Sequence, residues 1–277
     1  MRCAWKEFLS ILPAWMRRDV DELGAERLQE LRLRLGKAPE LIRADSALSL
    51  KRNVGADDLN FIVNTASRYS PWAASTMANG YITASGGHRI GLCGEAVIQG
   101  GKMTGFRHLN SLCLRVARDV TDIATGLRGY SGSILIIGKP GAGKTTLLRD
   151  LIRLRSRQQT MAVVDERGEL FPSEGGFDRG NRTDVLTGCP KAQGIDALLR
   201  VMGPSVIAVD EITSEEDCQA LIRAGWCGVE LLATAHASGI SDLRNRPVYQ
   251  PLIGSGLFDT VVVLHSDKSW KAERMAL

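Results

Sequence analysis

The segment Ser133-Ile134-Leu135-Ile136-Ile137-Gly138-Lys139-Pro140-Gly141-Ala142-Gly143-Lys144-Thr145-Thr146 decides the fold class. Residues 133–137 read as a buried strand, and a helix is expected over residues 144–157. The eight residues from Gly138 to Thr145 match G-x-x-x-x-G-K-[ST] at every position. Glycines are needed in such a loop because its backbone N–H groups curl inward around phosphate oxygens, which side chains would obstruct. The helix opening near Gly143 adds its N-terminal dipole and unpaired N–H groups. Lys144 is then expected at the β- and γ-phosphates of ATP, with the Thr145 hydroxyl on Mg²⁺ and Thr146 closing the cradle.

A second acidic motif follows in Val206-Ile207-Ala208-Val209-Asp210-Glu211. An apolar strand ending in Asp-Glu places Asp210 where it can hold Mg²⁺ through the ion's water shell. Glu211 is placed to align or activate a water. Val163-Val164-Asp165-Glu166-Arg167 repeats the pattern, and in an open α/β sheet such tips face the ligand crevice. Glu166 and Glu211 are therefore rival water activators. Thr234-Ala235-His236-Ala237 ends the strand after the second motif, where His236 can sense the γ-phosphate. His88, His108 and His265 are scattered and read as structural.

Around these motifs, residues 128–277 alternate short β-branched strands (133–137, 160–164, 206–209, 229–233, 260–264) with helices (144–157, 195–202, 214–224). That rhythm predicts a doubly wound α/β domain with a parallel sheet of the RecA/AAA kind. Residues 1–127 read differently. After an N-terminal amphipathic helix, residues 28–35 alternate apolar and charged side chains as a half-buried strand does, and Leu41-Ile42 begins a return strand. Residues 57–69 form a helix with an acidic first turn, and Ser70-Pro71 opens a second short helix. Strands are expected at 81–83, 88–99, 102–108 and 112–116, the middle pair joined by Gly100-Gly101 as a hairpin. The first domain is thus an α+β unit with an antiparallel sheet.

The 277 residues carry a net charge of +4, too small for a dedicated nucleic-acid binder. Arginines nonetheless cluster in the first half, at Arg27, Arg32, Arg34, Arg43, Arg107, Arg115 and Arg118. The six cysteines form no C-x-x-C pair and read as buried thiols of a reducing compartment. No apolar run approaches the roughly 18–20 residues that cross a bilayer, so a cytoplasmic place is expected.

The wider class follows by comparing motifs. No LSGGQ-like stretch precedes Asp210, which argues against an ABC ATPase, and no N-K-x-D motif reads guanine. No lid or substrate pocket of a small-molecule kinase can be located. An additional strand between the P-loop and Asp210-Glu211, with acids at both tips, suits RecA-like and AAA+ ATPases. A nucleic-acid-dependent ATPase stays open as the alternative.

Longer stretches carry a more specific resemblance. They are residues 28–37 (LQELRLRLGK), Gly80-Tyr81-Ile82-Thr83, residues 86–94 (GGHRIGLCG) and residues 111–118 (SLCLRVAR). With the P-loop, Asp165-Glu166-Arg167, Asp210-Glu211 and Thr234-Ala235-His236, they resemble the stage III sporulation AA family, ATPases related to secretion and pilus ATPases. The resemblance implies a mother-cell ATPase assembled as a hexameric ring. It further implies membrane components of a channel complex to the forespore as partners, and a peripheral position at that membrane. It also implies an arginine of the N-terminal sheet, Arg89, Arg115 or Arg118, that offsets charge on the γ-phosphoryl group, either from a neighbouring subunit or from the same chain's N-domain closing over the crevice. Nucleic acid is not the expected partner. Ser269-Trp270-Lys271 reads as a short polar tail after the last strand, which leaves little chain for a C-terminal docking element.

Overall fold

A computed structural model describes residues 1–67, 76–172 and 175–275. The helix expected from Ser70-Pro71 lies outside these residues. Two compact units appear, Met1–Asp119 with Pro172–Gly176, and Val120–Phe171 with Phe177–Leu277.

In the first unit, alternation along β1 (Glu30–Arg34) buries Leu31 and Leu33 and turns Arg32 and Arg34 to the other face. With β2 (Glu40–Ile42), β3 (Ala47–Ser49), β4 (Tyr81–Thr83), β5 (Arg89–Gln99) and β6 (Lys102–Arg115), it forms an antiparallel sheet ordered β3-β2-β1-β6-β5-β4. Helices α1 (Trp5–Ser10), α2 (Ala14–Leu23) and α3 (Ala56–Ser67) supply Phe8, Met16, Val20, Leu59 and Ile62 to the core shared with Leu31, Ile82, Ile90 and Leu114. Gly100 and Gly101 turn the β5–β6 hairpin with φ of 56° and 76°, values a type I′ turn requires of both central residues. The two strands expected at 102–108 and 112–116 are one continuous strand. Register shifts in β5–β6 absorb the break in alternation, and at one of them a Cβ on Gly94 would lie 1.9 Å from the His108 carbonyl oxygen.

The second unit is built on β7 (Ile134–Gly138), α4 (Lys144–Arg155), β8 (Met161–Asp165), β9 (Thr183–Thr187), α5 (Lys191–Val201), β10 (Val206–Val209), α6 (Glu215–Trp226), β11 (Glu230–His236), β12 (Thr260–Leu264) and β13 (Trp270–Arg274). The sheet order is β13-β12-β7-β11-β10-β8-β9, parallel except for β13. Every residue of β7, β8, β10 and β12 is buried, as both-face coverage demands. Leu135, Ile137, Val164 and Val209 pack with Ile195, Leu198 and Leu221 of α5 and α6. The buried Leu147, Leu148 and Leu151 of α4 stand outside that cluster, on the opposite face with Ile134 and Ile136.

Two expectations, on Trp270 and on the cysteines, need correction here. Trp270 is part of an antiparallel edge strand rather than a polar tail. The strand expected between the P-loop and Asp210-Glu211 is β8, which lies between them in the chain; in the sheet β11 separates β7 from β10 and β8 lies beyond β10. The cysteines are free but mostly not buried: Cys93 and Cys227 are exposed and only Cys218 is fully enclosed.

Candidate active site

Parallel register sets the site. His236 is level with Gly138 across β11 and β7, and Val209 is level with Ala233 and Val164. The strand ends carrying the P-loop, Asp210, Asp165 and His236 therefore share the carboxyl edge of one sheet, where open α/β sheets bind ligands.

Gly141 and Gly143 adopt φ of 75° and 102°, and no atom stands within 4 Å of where a Cβ on Gly141 would be. The loop keeps that side clear for a ligand approaching its backbone. Gly138 is required for a different reason, since a Cβ there would meet the Leu264 carbonyl oxygen at 2.6 Å. Lys139 and Pro140 lie exposed on the loop and Ala142 is buried beneath it. Thr146 follows Thr145 in the first turn of α4.

Lys144 donates from Nζ to the carbonyl oxygens of Gly138 at 3.0 Å and Lys139 at 3.2 Å, and to His236 Nδ1 at 3.0 Å. Burial draws its ammonium pKa below the ordinary lysine value, while the carboxylates of Asp210 and Glu211 pull the other way. Because an ammonium can only donate, His236 Nδ1 accepts, so Nε2 carries the proton and donates to Glu211 Oε1 at 3.0 Å. P-loop lysine, histidine and glutamate thus form one hydrogen-bonded chain.

Thr145 donates from Oγ1 to Asp210 Oδ2 at 2.6 Å, and Thr234 donates to Asp210 Oδ1 at 2.6 Å. The hydroxyl and carboxylate oxygens that an Mg²⁺ ion would draw on, directly or through its waters, therefore already lie side by side, and this donor set fits a hard cation. Thr234 also accepts from the Glu211 N–H at 2.8 Å, and its carbonyl accepts from Ile212 N–H at 2.9 Å. These bonds hold Glu211 at φ 52°, an uncommon conformation for a side chain of its size and one found at functional sites.

Asp165 and Glu166 have separate roles. Asp165 is buried and accepts from the backbone N–H groups of Glu169 and Phe171 at 2.8 Å each, tying up its own turn. Burial raises its pKa, and the turn's N–H donors partly offset that. Both Asp165 and Glu166 line a small pocket with Asp210 and Glu211. Two lysines there escaped sequence reasoning. Lys191, the first residue of α5, reaches Glu166 Oε2 at 2.5 Å, and Lys268, beside β13, donates to the Gly141 carbonyl at 2.6 Å. No local motif marks either one.

The three arginines stand in the first unit. Arg89 stacks over Tyr81 with its guanidinium 4.3 Å from the ring centre. Arg115 pairs with Glu30 at 3.0 Å. Arg118 donates to the backbone carbonyls of Ala25, at 2.6–2.8 Å, and Leu28, and is half-buried.

A sequence profile described as "Sporulation stage III, protein AA" matches residues 4–273. The chain belongs to this family. It is 36% identical over 280 residues to stage III sporulation protein AA of Bacillus subtilis strain 168, across 95% of this chain and 91% of that protein. Among solved structures, the ATPase DotB of Legionella pneumophila superposes with a TM-score of 0.62 at 16% identity, over 95% of this chain and 80% of that one. The pilus retraction motor PilT, solved with bound ADP, gives 0.60 at 18% identity, over 89% and 76%. The chain therefore has the fold of the ATPase DotB and the pilus retraction motor PilT. Among its described residues no helix is long and apolar enough to cross a membrane.

Proposed function

We propose that this chain is an Mg²⁺-dependent ATPase that works as a homo-oligomeric, hexameric ring and drives a secretion-like channel complex between mother cell and forespore. The observation that carries the catalytic part is the meeting of Lys144, Thr145, Asp210, Glu211 and His236 at one sheet edge through hydrogen bonds of 2.6–3.0 Å. Lys144 neutralises the β- and γ-phosphate oxygens of ATP, with the backbone N–H groups of residues 141–146 around them. Thr145 and Asp210 hold Mg²⁺, which when bound supplies charge neutralisation on the phosphates. Glu166 or Glu211 aligns the attacking water, and His236 links Lys144 to Glu211. Arg89 or Arg115 of a neighbouring subunit offsets charge on the γ-phosphoryl group. Arg118 is assigned to the support of its own sheet because its guanidinium already serves two carbonyls. Membership in a sporulation family supports the setting at the forespore membrane, with the ring attached peripherally to membrane partners.

The test is ATP turnover of the purified wild type beside Lys144→Ala, Glu166→Gln and Glu211→Gln, with and without DNA. Lys144→Ala is expected to weaken binding of a fluorescent ATP analogue sharply. The glutamine variant at the true water activator should lose about 10²–10⁴-fold in kcat. A wild type without turnover under any condition ends the ATPase reading. Turnover that appears only with DNA, and falls steeply with salt, makes this a nucleic-acid machine instead.

A further inference from the structure

Lys191 is placed where a lysine is electrostatically costly. It is the first residue of α5, directly after the N-cap Pro190, in a first turn without acidic side chains. The positive end of a helix disfavours a cation there. The side chain is also buried, at 7% exposure, which strips most of its hydration. Among the described residues, only Lys144 is another lysine so enclosed. Two carboxylates compensate unequally. Asp217 Oδ2 stands 3.8 Å away and is already shared with the N–H groups of Thr213 and Ser214 at the cap of α6. Glu166 Oε2 lies at 2.5 Å and takes the main charge-assisted bond.

The pair is lopsided in exposure. Its lysine is largely enclosed and the Glu166 side chain is 37% exposed, and both line the pocket shared with Asp210 and Glu211. The rival carboxylate is differently engaged: Glu211 Oε1 accepts from His236 and Oε2 lies 3.7 Å from Arg167. Among the described residues Glu166 Oε1 has no hydrogen bond. A carboxylate held by one oxygen at the wall of a pocket, with its other oxygen unbonded, is the arrangement of an aimed proton acceptor.

We propose that Lys191 is a positioning residue for hydrolysis, holding Glu166 by Oε2 so that Oε1 accepts the proton of the attacking water. As that proton moves to Glu166, the water oxygen bonds to the γ-phosphorus and the bond to the leaving diphosphate oxygen breaks. This inference rests on the ATPase reading above and names Glu166 as the acceptor within it.

Turnover and ATP-analogue affinity of the wild type, Lys191→Met, Glu166→Gln and the double variant test it. Misplacing a catalytic group by about 1 Å costs roughly 10²-fold, so Lys191→Met should lose about that in kcat with nucleotide affinity unchanged. In the Glu166→Gln background the same substitution should cost nothing further, and Lys191→Arg should recover part of the loss. Unchanged kcat in Lys191→Met, or an equal loss in both backgrounds, overturns the proposal. If circular dichroism shows Lys191→Met unfolded, Lys191→Arg carries the same cycle: loss only beside Glu166 supports the proposal, while no loss or equal loss overturns it. A wild type that hydrolyses nothing defeats the ATPase reading and this inference with it. Turnover without coupling defeats this inference alone.

Discussion

His88 sits inside the first unit with no exposure, its Nε2–H donating to the Ala4 carbonyl at 2.8 Å and its Nδ1 accepting from the Ala117 N–H at 3.1 Å. Acceptance at Nδ1 requires the neutral ring, and burial holds its pKa below the ordinary histidine value. A folded pKa below the unfolded one means that the unfolded chain binds the extra proton first. The contribution of His88 is therefore complete above the unfolded pKa of about 6.5 and is lost as pH falls through the folded value. Urea midpoints measured between about pH 5 and pH 8 should fall on the acid side, and less so in His88→Gln. Equal slopes in the two proteins would show that other groups govern acid stability. At this scale the glycine-rich loop between β7 and α4 and the place of Asp210 at a strand end were legible in the sequence, because both are encoded in consecutive residues. The contacts of Thr234, Lys191 and Lys268 were not. They reach Asp210, Glu166 and Gly141 from 24, 25 and 127 positions away in the chain, and such distance leaves no spacing rule to read.

Among the elements, α6 carries the clearest local determinant. Ser214 Oγ accepts from the Asp217 N–H at 3.1 Å while the Asp217 carboxylate accepts from the Ser214 N–H at 3.2 Å, a reciprocal capping box. Ser214→Ala should cost about 1 kcal/mol, read as a lower thermal midpoint. ATP-analogue affinity should stay unchanged, since Ser214 touches neither the P-loop nor Asp210. A drop in affinity would show that the cap also shapes the site. Helix α5 begins four residues before its expected start at Ile195, because Lys191 enters the first turn and is satisfied by Glu166 rather than by solvent. Its packing on β8 is close: a Cβ on Gly194 would lie 2.5 Å from Val164 Cγ1. Strands β3, β9 and β13 were missed because each is an edge strand of three to five residues with no buried residue, whose pairing partner rather than its own pattern makes it a strand.

For the whole molecule, the ring assembly proposed above leads to a concentration test. Specific turnover should rise cooperatively with protein concentration, alongside a larger species in sedimentation, if a neighbour's arginine completes the site. Arg89→Ala or Arg115→Ala should then lose about 10³–10⁵-fold in turnover with ATP-analogue binding retained. Full activity at every concentration in both variants would remove the arginine assignment. By itself the sequence determined the α/β class of the second half, the antiparallel sheet of the first half, and a glycine-rich loop between strand and helix with Asp210-Glu211 at a later strand end. Each of these is written in short-range periodicity or in a contiguous motif, where side-chain alternation and backbone shape are local properties. Only the tertiary structure decided that β11 separates the P-loop strand from β10, that His236 joins Lys144 to Glu211, and that a lysine buried at the start of α5 grips Glu166. Those are consequences of which strands pair and which helices pack beside them. The partners are chosen by burial summed over the whole sheet, and no single stretch of chain records that sum.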